Sequence, residues 1–228
     1  MSDPWAFGWT HVLTLAGFAL TTVIAFAGFR TFGRWRREKL EEKRIEVAIE
    51  ALALAYKSRH VFEMIRSPLI QEYEWREMPE GWAKDGDKRR RVGAYWAILH
   101  CITLNKDFFD EVWELQPRCM SLFGPEVEET FMQLHRARRN VEVAAQMLAE
   151  DAAQEYAGRP PNNDNLYKQL RADISGHSTA AEEGDRIGRM LNDFREGLIR
   201  VCRPIVDRGY RPATERRWRF WSGSQNTT

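Results

Sequence analysis

The chain has 228 residues, with 34 Lys and Arg set against 33 Asp and Glu for a formal net charge of +1. So even a balance argues against partners recognised through a global field, and no nucleic acid is expected. Cys101, Cys119 and Cys202 lack any C-x-x-C spacing, which argues against a disulfide framework or a zinc knuckle and reads as reduced, mostly buried thiols.

In chain order, residues 1–8 form a short N-terminal lead and residues 9–29, WTHVLTLAGFALTTVIAFAGF, form the first element. No Asp, Glu, Lys or Arg falls between Pro4 and Phe29. At ~1.5 Å per residue such a helix crosses a hydrocarbon layer of roughly 30 Å. A cleaved leader would carry positive charge ahead of its apolar run, and here only Asp3 precedes it. A buried core helix would show a polar face, and this run offers little beyond His11 and its threonines. The run is therefore expected to be a transmembrane helix, with His11 hydrated at its outer edge. Gly17, Thr21, Ala25 and Gly28 share one stripe at spacings of four, four and three. Small residues in such a stripe admit a second helix closely, and self-association into a homo-oligomer is the expectation it raises.

Residues 30–44 are a basic juxtamembrane segment, with Arg30, Arg34, Arg36, Arg37, Lys39, Lys43 and Arg44 against Glu38, Glu41 and Glu42. Lys and Arg crowd the side that stays in the cytoplasm. The expectation is an inner-membrane, single-pass protein with its N-terminus outside and all that follows cytoplasmic. Trp5, Trp9 and Trp35 suit the aromatic belts, and Arg34, Trp35, Arg36 and Arg37 are candidate contacts to a bilayer with an anionic inner leaflet.

The remaining residues, 36–209, are enough for one domain with a sizeable core. Strand patterns are weak and helical ones strong, so an all-α fold is expected. The first helix runs from about Arg36 to Arg66, with Ile45, Ala48, Ile49, Leu52, Ala55, Tyr56 and Phe62 on one face, and stops at Ser67-Pro68. Gly33 reads as a hinge ahead of it. Glu77 to Arg91 reads as a solvated connection. A second helix spans about Arg91 to Leu122, with an expected break before Pro117 and an apolar face of Tyr95, Trp96, Leu99, Ile102, Phe109, Val112 and Trp113. In LFGPEVEE, Gly124 ends one helix, while Pro125 and Glu126, Glu128 and Glu129 begin the next.

The third helix carries Val127, Phe131, Leu134, Arg138, Val141, Ala145, Leu148 and Ala152 in a four-three row that Arg138 interrupts. Arg138 is expected at the seam's edge, and the run His135 to Arg139 is expected to be solvated. A polar loop from Gly158 to His177 holds a short helix near Leu166 to Ile174. Thr179 and Glu182 form an expected capping box for the fourth helix, whose row is Ile187, Leu191, Phe194, Leu198, Val201 and Ile205. Gly209 and Pro212 stop it.

Four helices of similar length predict an antiparallel up-down-up-down four-helix bundle, with a long coiled-coil hairpin pair as the second architecture. In that topology the tail, residues 210–228, returns to the bilayer. Arg216, Arg217, Trp218, Arg219, Phe220 and Trp221 are then a second membrane-surface contact before a disordered end. Packing of this tail on its own bundle is the competing reading. The acidic residues Asp107, Asp110, Glu111, Glu114, Glu126, Glu128 and Glu129 offer partners for the basic helix ends.

Chemistry is sparse. No histidine has an acidic residue three positions before it, as a di-iron bundle requires, and the reversed pair His60 and Glu63 reads as an exposed ion pair. No G-x-S-x-G, Walker loop, dinucleotide fingerprint or H-E-x-x-H occurs. Neither catalytic residues, cofactor nor metal is expected, and the chain is not expected to be an enzyme. The leading reading is a membrane-anchored helical-bundle protein that binds a protein partner as scaffold, adaptor or regulatory subunit. The competing reading is an effector whose transmembrane helix oligomerises to perturb or permeate the bilayer.

Overall fold

The computed structural model describes residues 8–67, 70–84, 86–154, 164–175 and 185–210. These residues contain six α-helices and no strand. The chain divides into two compact units, Met1–Glu46 and Val47–Thr228.

Helix α1, Trp9–Ile65, spans the boundary between the units. In the first unit its apolar run is open to solvent, with Leu13, Phe18, Phe26 and Phe29 all well exposed. Thr21, Thr22 and Thr31 return their hydroxyls to the carbonyls of Gly17, Phe18 and Ala27 at 2.7–2.9 Å. The polar atoms of these threonines are thus spent on the backbone. Gly33 lies inside unbroken helix, so the expected hinge is not formed there.

In the second unit α1 contributes Val47, Ala48, Ala51, Leu52, Ala55, Phe62 and Ile65 to the core. Ile49 and Tyr56, expected on that face, are instead more than half exposed. The helix ends at Ile65, in keeping with the stop at Ser67-Pro68. A 3-10 turn, Glu72–Trp75, follows, held by the Gln71 N–H donating to Glu74 Oε1 at 2.9 Å.

The expected second helix is two helices, α2 (Gly86–Leu104) and α3 (Lys106–Phe123). The break is at Asn105, not before Pro117, which lies inside α3. Asn105, with φ −94° and ψ 19°, donates to the Cys101 carbonyl both from Nδ2 at 2.9 Å and from its backbone N–H at 3.1 Å. The connection expected to be solvated is also partly core. Met78 and Ala83 are buried with Val92, Trp96 and Ala149, and α2 begins at Gly86 rather than Arg91.

Gly124 closes α3 with φ 108° and ψ 163°, a conformation essentially reserved for glycine. Helix α4, Val127–Ala153, then packs against α2, α3, α5 (Asp164–Ile174) and α6 (Arg186–Tyr210). It buries Val127, Phe131, Leu134, Ala137, Val141, Ala144, Ala145, Leu148 and Ala149. Phe131 meets Phe194 of α6 edge-on with centroids 5.7 Å apart, and Gly197 lets α6 approach Thr130. In α6, Ile187, Phe194, Leu198 and Cys202 are buried, while Leu191, Val201 and Ile205 pack at the margin.

Candidate functional site

The first unit presents a helix long and apolar enough to cross a membrane, with none of its apolar window buried. Gly17, Thr21, Ala25 and Gly28 are all exposed, and a Cβ added at Gly17 or Gly28 would meet nothing within 4 Å. Their helical spacing puts them on one side of α1.

Beyond this run the charges sort into two groups. Lys39 pairs with Glu42 and Lys43 with Glu46, both at 2.6 Å, and Arg44 with Glu41 at 3.5 Å. Arg30, Arg34, Arg36 and Arg37 are exposed, and among the described residues none of them enters an ion pair. Arg37 donates from Nε to the Gly33 carbonyl at 3.2 Å, and Trp35 leans on Phe32 with ring centroids 5.8 Å apart. The acids of residues 41–46 thus neutralise the later basic residues and leave Arg30, Arg34, Arg36 and Arg37 without an ion pair among the described residues. Arg216, Arg217, Trp218, Arg219, Phe220 and Trp221 lie outside the described residues.

The second unit holds a polar cluster that the sequence reading missed. Arg66, only 5% exposed, sits where three helix ends meet. Its Nε donates to the Asp173 carbonyl at 2.8 Å, and one terminal nitrogen donates to the Ala172 and Ser175 carbonyls at 2.9 and 3.1 Å. These are the free carbonyls at the end of α5, where a cation is favoured. The same guanidinium grips both oxygens of Asp185 at 2.9 and 3.1 Å.

Asp185 in turn accepts the Gly188 N–H at 3.0 Å and so caps α6. Burial pushes its carboxyl upward, but the bonds from Arg66 and the Gly188 amide and the charge of Arg66 outweigh burial and hold it below the ordinary value. The cap is therefore Asp185; Thr179 and Glu182, expected to cap this helix, lie outside the described residues. A second pair, Asp173 with Arg186, closes the cluster. The local signal available was Asp185-x-x-Gly188 ahead of the apolar row, an N-cap pattern.

Arg138 is half-buried and stacks its guanidinium on the Phe109 ring, 4.4 Å from the centroid, while Ala137 takes the buried place in the seam. His135, expected to be solvated, is half-buried between Trp113, stacked at 4.1 Å, and Gln116, whose Oε1 lies 2.9 Å from Nε2. Burial, with a smaller contribution from Arg138, lowers its pKa. Burial also raises the thiols of Cys119 and Cys202 to about 12 and about 11, which keeps both protonated at neutral pH. His60 is exposed and Glu63 pairs with Arg59 at 2.8 Å, so the expected His60–Glu63 pair is replaced.

Three of the acids on α3 and at the start of α4 find partners away from the basic helix ends. Glu111 meets Lys57 at 3.0 Å, Asp110 meets Lys106 at 3.6 Å, and Glu129 meets Arg136 at 2.5 Å. Among the described residues no group of three or more His, Cys, Asp or Glu is placed to hold a metal ion. Compared with family models, curated proteins and solved structures, the chain matches none.

Proposed function

We propose that the protein is a single-pass membrane protein whose N-terminus lies outside the cell membrane and whose unit from Val47 onward works in the cytoplasm by binding another protein. The observation that carries this reading is the exposed apolar run ending on Arg30, Arg34, Arg36 and Arg37, none of them in an ion pair among the described residues. Leaving large apolar side chains in water is costly, at ~25 cal/mol per Å², and lipid removes that cost. Uncompensated arginines at the end of such a run hold that end on the cytoplasmic side. They also attract anionic headgroups, at about 1 kcal/mol per residue near the surface. The antiparallel four-helix bundle remains the architecture we favour for the second unit, supported by the apolar seams of α4 and α6. For the binding role, the support is the exposed apolar surface on that unit, with Ile49, Tyr56 and Trp113 each more than half exposed.

Membranes carrying the full chain should retain it through alkaline carbonate extraction, and a C-terminal tag should be cut by protease only when the cytoplasmic face is open. Changing Arg30, Arg34, Arg36 and Arg37 together to Glu should expose that tag on the opposite face in a substantial fraction of molecules. Recovery of the intact chain in the carbonate supernatant, or an orientation indifferent to the four arginines, refutes the reading. A second reading, an effector that permeates the bilayer, is favoured by the small-residue stripe alone. It requires dye release from liposomes that stops when Gly17 and Ala25 are both made Leu.

A further inference from the structure

Within the unit from Val47 onward, a cavity of about 350 Å³ opens between the last turns of α1 and the first turns of α6. Phe62 and Leu191 give it apolar walls, and Arg59, Arg66, Arg195 and Asn192 reach it from the two helices. Its charges are not evenly matched. Arg59 is held by Glu63 at 2.8 Å, and Arg66 by Asp185 at 2.9 Å. Among the described residues Arg195 is the lining cation that enters no ion pair, and it is only partly buried. A guanidinium that no carboxylate holds leaves N–H groups for an incoming acceptor. The volume lies in the range of small-molecule sites, which combine apolar walls with a few placed polar groups.

We propose that this cavity binds a small organic monocarboxylate. The carboxylate lies against Arg195, taking N–H groups of its two terminal nitrogens in the two-pronged geometry that guanidinium groups offer. The Asn192 carboxamide supplies a further donor, and the apolar body of the ligand rests on Phe62 and Leu191. A single negative charge is the match, because the lining has one more arginine than it has acids. A dianion would compete with Asp185 for Arg66 and disturb the cap of α6. The site stands whether or not the first unit lies in lipid.

The probe is 2-naphthoate, with 2-naphthamide as its neutral counterpart of the same shape. Both are titrated calorimetrically into the full chain held in phosphatidylcholine nanodiscs, with empty nanodiscs as the blank. Naphthoate is expected to bind at least about tenfold more tightly than the amide, and Arg195→Gln to remove at least about tenfold of its affinity. Arg189→Gln, an exposed change on the same helix, should leave it within about twofold. Leu191→Trp keeps the arginine but fills the cavity and should also abolish binding, which secures the test if Arg195→Gln misfolds by circular dichroism. Equal affinity for acid and amide, unchanged binding in Arg195→Gln or Leu191→Trp, or no naphthoate binding up to about 5 mM overturns the proposal.

Discussion

Replacing Arg66 by Met tests the junction of helix ends most directly, because the change keeps a long unbranched side chain and removes the charge and all five hydrogen bonds. Arg66 is 5% exposed and the side chain of its partner Asp185 is 18% exposed. Breaking a buried pair by removing one member costs about 3–5 kcal/mol, and the partial exposure of Asp185 puts this case near 3 kcal/mol. For a chain of this size, that loss lowers the melting midpoint by roughly 6–12 °C.

Asp185→Asn keeps the shape and a capping oxygen, so it should cost less, about 1–2 kcal/mol. The double variant should fall short of the sum by about 1–2 kcal/mol. The pH dependence supplies an independent sign. Asp185 is held below its ordinary value in the folded chain, so its contribution is complete above the unfolded value and is lost as pH falls through the folded one. Arg66→Met leaves burial as the dominant influence on Asp185, and the loss of stability on acidification should shrink. Urea unfolding followed by circular dichroism between pH 7 and pH 3 reads both effects. A loss under about 1 kcal/mol, or an acid slope identical to the parent's, refutes the assignment of Arg66 as the clamp.

Three further outcomes follow from particular contacts. Gly124→Ala should cost about 1–3 kcal/mol in thermal unfolding, since φ 108° with ψ 163° suits only glycine and a Cβ there would strike the Glu126 carboxylate. Gly197→Ala should destabilise by about 1–3 kcal/mol, because the new methyl would come within 2.6–3.2 Å of Thr130. Adding Thr130→Ala should reverse this and leave the double variant up to about 1 kcal/mol more stable than Thr130→Ala alone, the helix propensity of Ala over Gly then being free to act. His135, with its pKa lowered by burial and Arg138, contributes fully above its unfolded pKa, and stability is lost as pH falls from there through the folded value. His135→Gln should flatten denaturant midpoints measured from pH 8 to pH 5.

What the sequence made legible was local or periodic. Gly124 and Pro125 mark a helix boundary by backbone chemistry contained in the residues themselves, and the structure ends α3 there and starts α4 at Val127. The rows in α4 and α6 are strong because the same spacing recurs for several turns, and Phe131, Leu134, Val141, Phe194 and Leu198 are all buried. The short helix after the third row was legible too, as α5 from Asp164 to Ile174.

Where the outcome depended on partners far along the chain, the pattern was silent. The face of α1 was drawn too wide, because periodicity gives its centre and not the edge at which a neighbour stops covering it; Ile49 and Tyr56 fall beyond that edge. Met78 and Ala83 sit in a charged stretch, yet the helices around them supply an apolar pocket. The helix breaks at Asn105, a choice that its propensity alone does not force. Arg66 and Asp185 are separated by 119 residues, and nothing in either neighbourhood names the other.

The distribution of charge carries an argument of its own. A net charge of +1 would suggest a surface indifferent to polyanions, yet neutrality here is a sum over regions that differ. Around α3 and the start of α4, Asp110 and Glu129 are answered within a turn or two, and Glu111 by Lys57 across the helix pair. On α1 the acids begin at Glu38, so pairing at spacings of three reaches back only to Lys39. Glu38 lies four residues after Arg34 and Glu41 four after Arg37, yet among the described residues neither arginine is paired, Glu41 going to Arg44 instead. Exchanging Gly33 with Glu38, an acid in no ion pair among the described residues, would leave composition and net charge untouched, yet it would put a carboxylate three residues after Arg30 and four before Arg37. Such a transplant separates placement from sum: if the four arginines act on the bilayer as a local group, binding of a peptide covering residues 30–46 to vesicles containing phosphatidylserine should weaken, by about 1 kcal/mol for each arginine neutralised. A binding curve unchanged by the move would mean that the total charge, and not its sorting along α1, is what the membrane surface reads.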